Sequence, residues 1–128
     1  MARIAIQPEG WPDPRPRYTN AWRVGNAIYV AGQVATDAQD NLVAPGDVRE
    51  QTRVVMRKLA TILEAAGARL GDVVKLTVYL TDVNLRSGYH EARREFYPSA
   101  PPAGTLVGNV ALAVPGALIE IDAVAVVE

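Results

Sequence analysis

The C-terminal stretch LIEIDAVAVV, residues 118–127, constrains the fold of this chain more than any other segment. Neighbouring side chains of a strand point to opposite faces of its sheet. One face of this strand would be apolar at every second position from Ile119 to Val127, yet the opposite face also carries Leu118, Val124 and Val126. A strand that is apolar on both sides is usually buried on both sides. The sheet that contains it therefore needs a cover on each face.

The other segments predict a mixed order of strands and helices. Apolar residues recur at helical spacing over about 48–66, between an N-cap at Asp47 and a terminating glycine at Gly67. Two β-rich runs around the turn pair Gly25-Asn26 predict a hairpin at 22–31. The remaining predicted elements are strands at 3–7, 72–82, 104–112 and 117–127, the last two turned at Pro115-Gly116, and a second helix at about 85–97.

This order, β-β-β-α-β-α-β-β, predicts an α+β fold in which two helices cover one face of a sheet. With 128 residues, the chain is expected to form one domain over 1–128. In the strand at 72–82, one face is expected to carry Val74, Leu76, Val78 and Leu80. No residues remain to cover the second face of the sheet. Another copy of the chain is the economical cover, so a homo-oligomer is predicted.

Composition excludes several classes of function. The 13 basic and 14 acidic residues give a net charge of -1, which provides no general attraction to nucleic acid or to anionic membranes. The absence of cysteine excludes disulfides and thiol nucleophiles, and a single histidine excludes a multi-histidine metal site, so no metal is expected. The sequence shows neither a signal peptide nor the ~20 apolar residues of a membrane span, and a cytoplasmic protein is expected.

Four segments carry a resemblance to a known family: YVAGQVATD, QTRVVMRKLATILEAAGARLGDVVKLTVYLTD, PPAGTLVG and LIEIDAVAVV. In their order and spacing they resemble the YjgF/RidA family, also labelled L-PSP endoribonuclease-like, over about residues 18–127. The resemblance implies a chorismate-mutase-like α+β fold and a homotrimer whose sheets pack into a central barrel, with a cleft at each subunit interface. It also implies hydrolysis of small reactive enamines and imines without a cofactor.

The same resemblance implies which positions form the cleft. It places a water-activating carboxylate at Glu120, a cleft-lining tyrosine at Tyr18, and His90 where the family typically has asparagine on the second helix. Gly32 and Gln33 end a strand at the cleft wall. The predicted catalytic residues are therefore Glu120 and His90, and the predicted substrate-binding residues are Tyr18, Gly32, Gln33, Gly104 and Thr105.

Gly104 departs from the family pattern. The archetype has an arginine here, which binds the substrate carboxylate as a two-pronged fork, and no residue at 103–108 restores it. Losing such a pair at a buried site costs roughly 2–5 kcal/mol. The archetypal 2-imino-acid deaminase activity is therefore not expected, and the substrate is expected to be bulkier at this point or to lack a carboxylate there. Candidate substitutes for the arginine are Arg17, Arg23, Arg86, Arg93 and Arg94.

Glu120 is interpreted as the general acid and base. Partial burial would raise its pKa toward neutrality, so that one carboxylate activates water and then protonates the leaving amine. The alternative is a strand glutamate that pairs with a cation of a neighbouring subunit. Asp122 shares the face of Glu120 and is expected to be structural, paired with Lys75. His90 either shuttles a proton or is a solvated helix residue, and Tyr18 either stacks on ligand or packs at an interface.

Three functions follow, in order of preference. The first is a cofactor-free hydrolase or tautomerase for an enamine, an imine or a related unsaturated metabolite. The second is a trimer that binds a small molecule without chemistry. The third is an endoribonuclease, which ranks last because the balanced charge and the lack of a basic, aromatic stripe argue against RNA binding.

Overall fold

The computed structural model describes residues 2–128 and contains one six-stranded sheet and two helices. Neither helix of the described part of the chain is long and apolar enough to cross a membrane. The order of strands and helices along the chain is the predicted one. The strands are β1 (Arg3–Ile6), β2 (Ala21–Val24), β3 (Ala27–Gln33), β4 (Val73–Leu80), β5 (Ala103–Val107) and β6 (Ile119–Val126), and the helices are α1 (Val48–Ala65) and α2 (Arg86–Arg94).

Helix α1 begins and ends where its sequence signals predict. The Asp47 carboxylate accepts a hydrogen bond from the backbone N–H of Glu50 at 3.0 Å and so caps the first turn. Gly67 has a φ of 83°, a left-handed conformation that glycine adopts without steric cost, and the helix ends just before it. The buried stripe of α1, from Val48 to Leu63, packs on the sheet.

Strand β6 lies inside the sheet, because it pairs antiparallel with β3 on one side and with β4 on the other. β5 pairs parallel with β4 at the far edge. The chain does turn at Pro115-Gly116 as predicted, since Ala117 N donates to Val114 O at 3.1 Å, but β5 and β6 are not neighbours because β4 lies between them. β5 also ends at Val107 instead of continuing to 112. Asn109 has a φ of 59°, and its side chain accepts a hydrogen bond from Val83 N at 3.0 Å, so the chain leaves the sheet there.

The two faces of the sheet differ. Both helices cover one face, and the core between them contains the buried side chains of Ile28, Met56, Val78, Leu80, Ile119 and Ile121. We call the other side the open face. By register it carries Tyr29, Thr77, Tyr79, Glu120, Asp122, Val124 and Val126. Tyr29 is 51% exposed and Val126 is 47% exposed, so residues 2–128 of a single chain leave this face without a cover.

One residue of β4 faces away from its predicted side. Val74 was expected to share a face with Leu76, but it is 49% exposed. The pairing of β4 with β6 shifts register between Val73 and Lys75, and such a bulge turns one side chain out of the alternation. Beyond the bulge the prediction is confirmed, because Leu76, Val78 and Leu80 are all buried.

Ion pairs between the helices orient α2. Arg49 of α1 bonds Glu91 of α2 at 2.8 Å, and Arg53 bonds Glu95 at 2.9 Å. These pairs are partly exposed, so they contribute more to orientation than to stability. Tyr89 is the large buried side chain of α2. The helix therefore lies beside α1 with its outer residues near the β5 edge.

Candidate functional site

Glu120 lies on β6 with its side chain on the open face, opposite Tyr79 of β4. Strand β3 passes on the other side of it. A Cβ atom built on Gly32 would lie 2.8 Å from Oε2 of Glu120, closer than any real contact of that kind. The glycine thus provides the space that the Glu120 carboxylate occupies. Any side chain at position 32 would displace the carboxylate.

The environment of Glu120 favours its protonated form. Partial burial raises the pKa of this carboxyl group above its ordinary value of 4.5, and the negative charge of Asp122 raises it further. Within residues 2–128 the carboxylate makes no ion pair that would counter this effect. Groups that exchange protons during catalysis commonly have this kind of surroundings.

A cavity of about 610 Å³ opens in front of Glu120. Four of the predicted site residues line it together: Tyr18, Gly32, Gln33 and Glu120. Tyr18 directly follows the proline-rich segment of residues 8–17, which leads from β1 to β2. That segment is held in place because the Gln7 side chain donates to the carbonyls of Trp11 and Pro12 at 3.1 and 3.2 Å.

Lys58 lines the same cavity, and sequence reasoning missed it. Its ammonium group donates to Val34 O at 2.9 Å and to Thr36 Oγ1 at 2.8 Å. Burial lowers the pKa of Lys58, and the ammonium lies 5.6 Å from the centre of the Trp11 ring. The one signal that could have pointed to Lys58 is its place three residues after Val55, a helical spacing that puts a cation at the edge of the apolar stripe.

The other predicted site residues are elsewhere in the chain. His90 and Gly104 line a smaller cavity of about 180 Å³ between α2 and the β5 edge, together with Leu76, Tyr89, Arg93, Pro101 and Pro102. Burial lowers the pKa of His90, and the positive charges of Arg93, Arg94 and Arg86 lower it further. Within one chain, His90 and Glu120 therefore do not line a common cavity.

Thr105 lines neither cavity and is exposed on β5. Its hydroxyl accepts a hydrogen bond from the Lys75 ammonium at 2.9 Å. The expected pairing of Lys75 with Asp122 is therefore wrong: Asp122 lies opposite Thr77 in the register, and Lys75 reaches the other way, toward β5. The Asp122 charge acts instead on Tyr79, whose pKa it raises.

The larger cavity has the features of a small-molecule site with acid–base chemistry. Its volume lies within the range of ligand pockets, roughly 300–1,000 Å³. It offers one carboxyl group with a raised pKa, a phenol and a partly buried ammonium. Among residues 2–128, no group of three or more histidine, aspartate or glutamate side chains is arranged to hold a metal ion.

Comparison with known proteins identifies the family to which the chain is similar. Residues 9–127 match the family model described as endoribonuclease L-PSP. A RutC family protein of Pyrococcus abyssi is 41% identical over 98% of each chain. The 3-aminoacrylate deaminase RutC of Acinetobacter baylyi is 36% identical over 98% of each chain. A 2-iminobutanoate/2-iminopropanoate deaminase of Dermatophagoides farinae is 31% identical over 91% of each chain.

A solved structure gives the same result for the fold. The crystal structure of RidA from an Antarctic Psychrobacter bacterium matches with a TM-score of 0.86 at 30% identity, covering 97% of this chain and 99% of that one. The expected α+β fold, with two helices on one face of the sheet, is confirmed. The chain belongs to the endoribonuclease L-PSP family, which is the YjgF/RidA family that its motifs resemble.

Proposed function

We propose that this protein hydrolyses or tautomerises a reactive enamine or imine without a cofactor, with Glu120 as the general acid and base. The observation that carries this proposal is the position of the Glu120 carboxyl group, which lies against Gly32 in the 610 Å³ cavity and has a raised pKa. Two relatives named as deaminases, one for 3-aminoacrylate and one for 2-iminobutanoate and 2-iminopropanoate, support the same reaction class.

The reaction needs one proton acceptor that then becomes a donor. Ionised Glu120 takes a proton from water while the water oxygen bonds to the carbon of the protonated C=N group, which gives a neutral carbinolamine and protonated Glu120. Protonated Glu120 then gives its proton to the carbinolamine nitrogen, and as the C–N bond breaks the ionised carboxylate takes the hydroxyl proton, so that the carbonyl forms. One water is consumed for each protonated imine, and one carbonyl compound and one ammonium ion are released, since the last proton passes from Glu120 to the ammonia. For an enamine, protonated Glu120 first protonates the β-carbon, which gives the protonated C=N group; loss of an N–H proton from that group completes the tautomerisation to the imine.

The complete site is proposed to form between two copies of the chain. Glu120, Tyr18, Gly32 and Gln33 line one cavity, whereas His90 and Gly104 line another. A homotrimer would bring the larger cavity of one subunit against the smaller cavity of its neighbour. The half-exposed Tyr29 and Val126 on the open face support such an assembly, because a contiguous apolar surface of this kind usually marks an interface. In this arrangement His90 orients substrate or shuttles a proton.

The test is imine hydrolysis by matched variants. Imino acids are generated in situ from a panel of amino acids with an amino-acid oxidase, and their loss is followed with and without the protein. Glu120→Gln keeps the side-chain shape but removes the proton exchange, and we expect it to slow turnover by about 10²–10⁴-fold. Glu64→Gln, an exposed residue of α1, is the control and should match the wild type.

The same assay decides between the proposal and its alternatives. Wild-type protein that binds an imine or carbonyl product without accelerating hydrolysis would favour a trimer that only binds. Turnover that is unaffected by Glu120→Gln would contradict the role of this carboxylate. Cleavage of RNA, lost at high salt, would favour the endoribonuclease instead.

A further inference from the structure

Gly104 opens a gap at the mouth of the smaller cavity. A Cβ atom built at this position would have no atom of the described residues within 4 Å, apart from its chain neighbours. The glycine is therefore not required for close packing. Its effect is to leave the end of the cavity accessible from the β5 edge.

Arg93 of α2 borders that gap, since it lines the same 180 Å³ cavity. Its guanidinium makes one long hydrogen bond, 3.4 Å from the carbonyl of Tyr97. The arginines of α1 differ, because Arg49 and Arg53 are held by Glu91 and Glu95. Within residues 2–128, no carboxylate lies within 4 Å of Arg93. Most of its donors are therefore available to a ligand.

Arg93 carries the only permanent charge among the described side chains that line this cavity. No aspartate or glutamate lines it, and His90, whose pKa is lowered, adds a polar imidazole beside the guanidinium. Arg86 and Arg94 are close enough to act on His90 as well. An anion is the ligand that such surroundings favour. The volume of about 180 Å³ suits one end of a small molecule better than a whole substrate.

We propose that Arg93 binds the carboxylate of the substrate, in the space that Gly104 leaves open. A guanidinium presents paired N–H donors that match the two oxygens of a carboxylate. The proposal rests on the proposed function and narrows the substrate to an enamine or imine that carries a carboxylate. It replaces the expectation of a substrate without a carboxylate at this point.

Binding is measured first, because it does not depend on turnover. Propanoate and its uncharged counterpart propanamide are titrated while the backbone amide signals of Gly104 and His90 are followed by NMR. We expect propanoate to shift both signals in the wild type and propanamide to leave them unchanged. Arg93→Met should abolish the propanoate shift. Arg94→Met, one position along the same helix and outside the cavity, should keep it.

A double variant tests the role independently of damage to α2. Arg93→Met combined with Gly104→Arg returns a guanidinium to the cavity from β5 instead of α2, and we expect it to restore propanoate binding. If propanoate shifts these signals equally in the wild type and in Arg93→Met, or if propanamide acts as propanoate does, the proposal is overturned.

Kinetics separate this inference from the proposed function. An imino acid made by an amino-acid oxidase is compared with an uncharged imine made from an amine by an amine oxidase. Arg93→Met should lower kcat/KM for the imino acid by at least about 30-fold, the loss that 2 kcal/mol gives, and leave the uncharged imine unaffected. An equal loss for both substrates contradicts the inference. No turnover by the wild type contradicts the proposed function, while the NMR titration still decides the role of Arg93.

Discussion

At the scale of single residues, Gly32 controls where the Glu120 carboxylate lies. The atom that an added Cβ would meet is the far end of a flexible side chain, so Gly32→Ala should displace the carboxylate and leave the fold intact. A displacement of about 1 Å commonly costs about 10²-fold in rate. We expect that loss in kcat, with an unchanged thermal midpoint. Gly71→Ala, whose Cβ has ordinary spacing, is the control, and equal activity of the two variants would refute the idea.

The negative charge of Asp122 and the partial burial of Glu120 should together set the pH at which kcat/KM falls on the acid side. Glu120 acts as a base only when ionised, so a raised pKa makes kcat/KM fall at a higher pH than an ordinary glutamate with a pKa of 4.5 would give. Asp122→Asn removes the smaller of the two causes. The acid limb should therefore move to lower pH but stay above 4.5. A limb that stays in place or moves upward in this variant would mean that Glu120 is not the titrating base.

At the scale of elements, Gln51 ties α1 to the segment that leads into β6. It is fully buried; its side-chain oxygen accepts from Leu118 N at 2.8 Å, and its nitrogen donates to Gly116 O at 3.3 Å. Gln51→Leu leaves those backbone groups without their partner, so the free energy of unfolding should fall by about 2 kcal/mol. Denaturant titration measures this. Gln39→Leu, at an exposed glutamine, should change stability little, and equal stability of the two would contradict this role.

The elements also show what the sequence could and could not predict. Helix α1 was predicted to within one residue, because its stripe and both of its end signals are local. The strand that pairs with β5 could not be predicted from local signals, since strand pairing joins residues far apart in sequence. The same limit applies to the site. The resemblance named Tyr18 and Glu120, which share a cavity, but Lys58 reaches that cavity from α1 through contacts that no motif records.

At the scale of the whole molecule, the proposed trimer accounts for both the open face and the separate cavities. Glu120 and His90 belong to different cavities of the chain, and the face that carries Glu120 is uncovered within residues 2–128. A closed ring of three copies would cover this face and bring unlike cavities together. Tyr29→Glu should then disperse the trimer and abolish turnover. Ile4→Glu, at an exposed apolar residue of β1, should leave both the trimer and turnover intact.

Mixing two inactive variants tests whether a site is shared between subunits. Glu120→Gln disables the larger cavity, and Gly104→Trp fills the smaller one. If each site takes one cavity from each of two neighbours, every mixed trimer has one intact site among its three. Equal amounts of the two variants are unfolded and refolded together, so that their subunits combine at random. The mixture should therefore recover about a quarter of wild-type activity. Glu120→Gln mixed with Gly32→Trp, both in the larger cavity, should recover none. The same absence of activity in the first mixture would show that both cavities of an active site come from one chain.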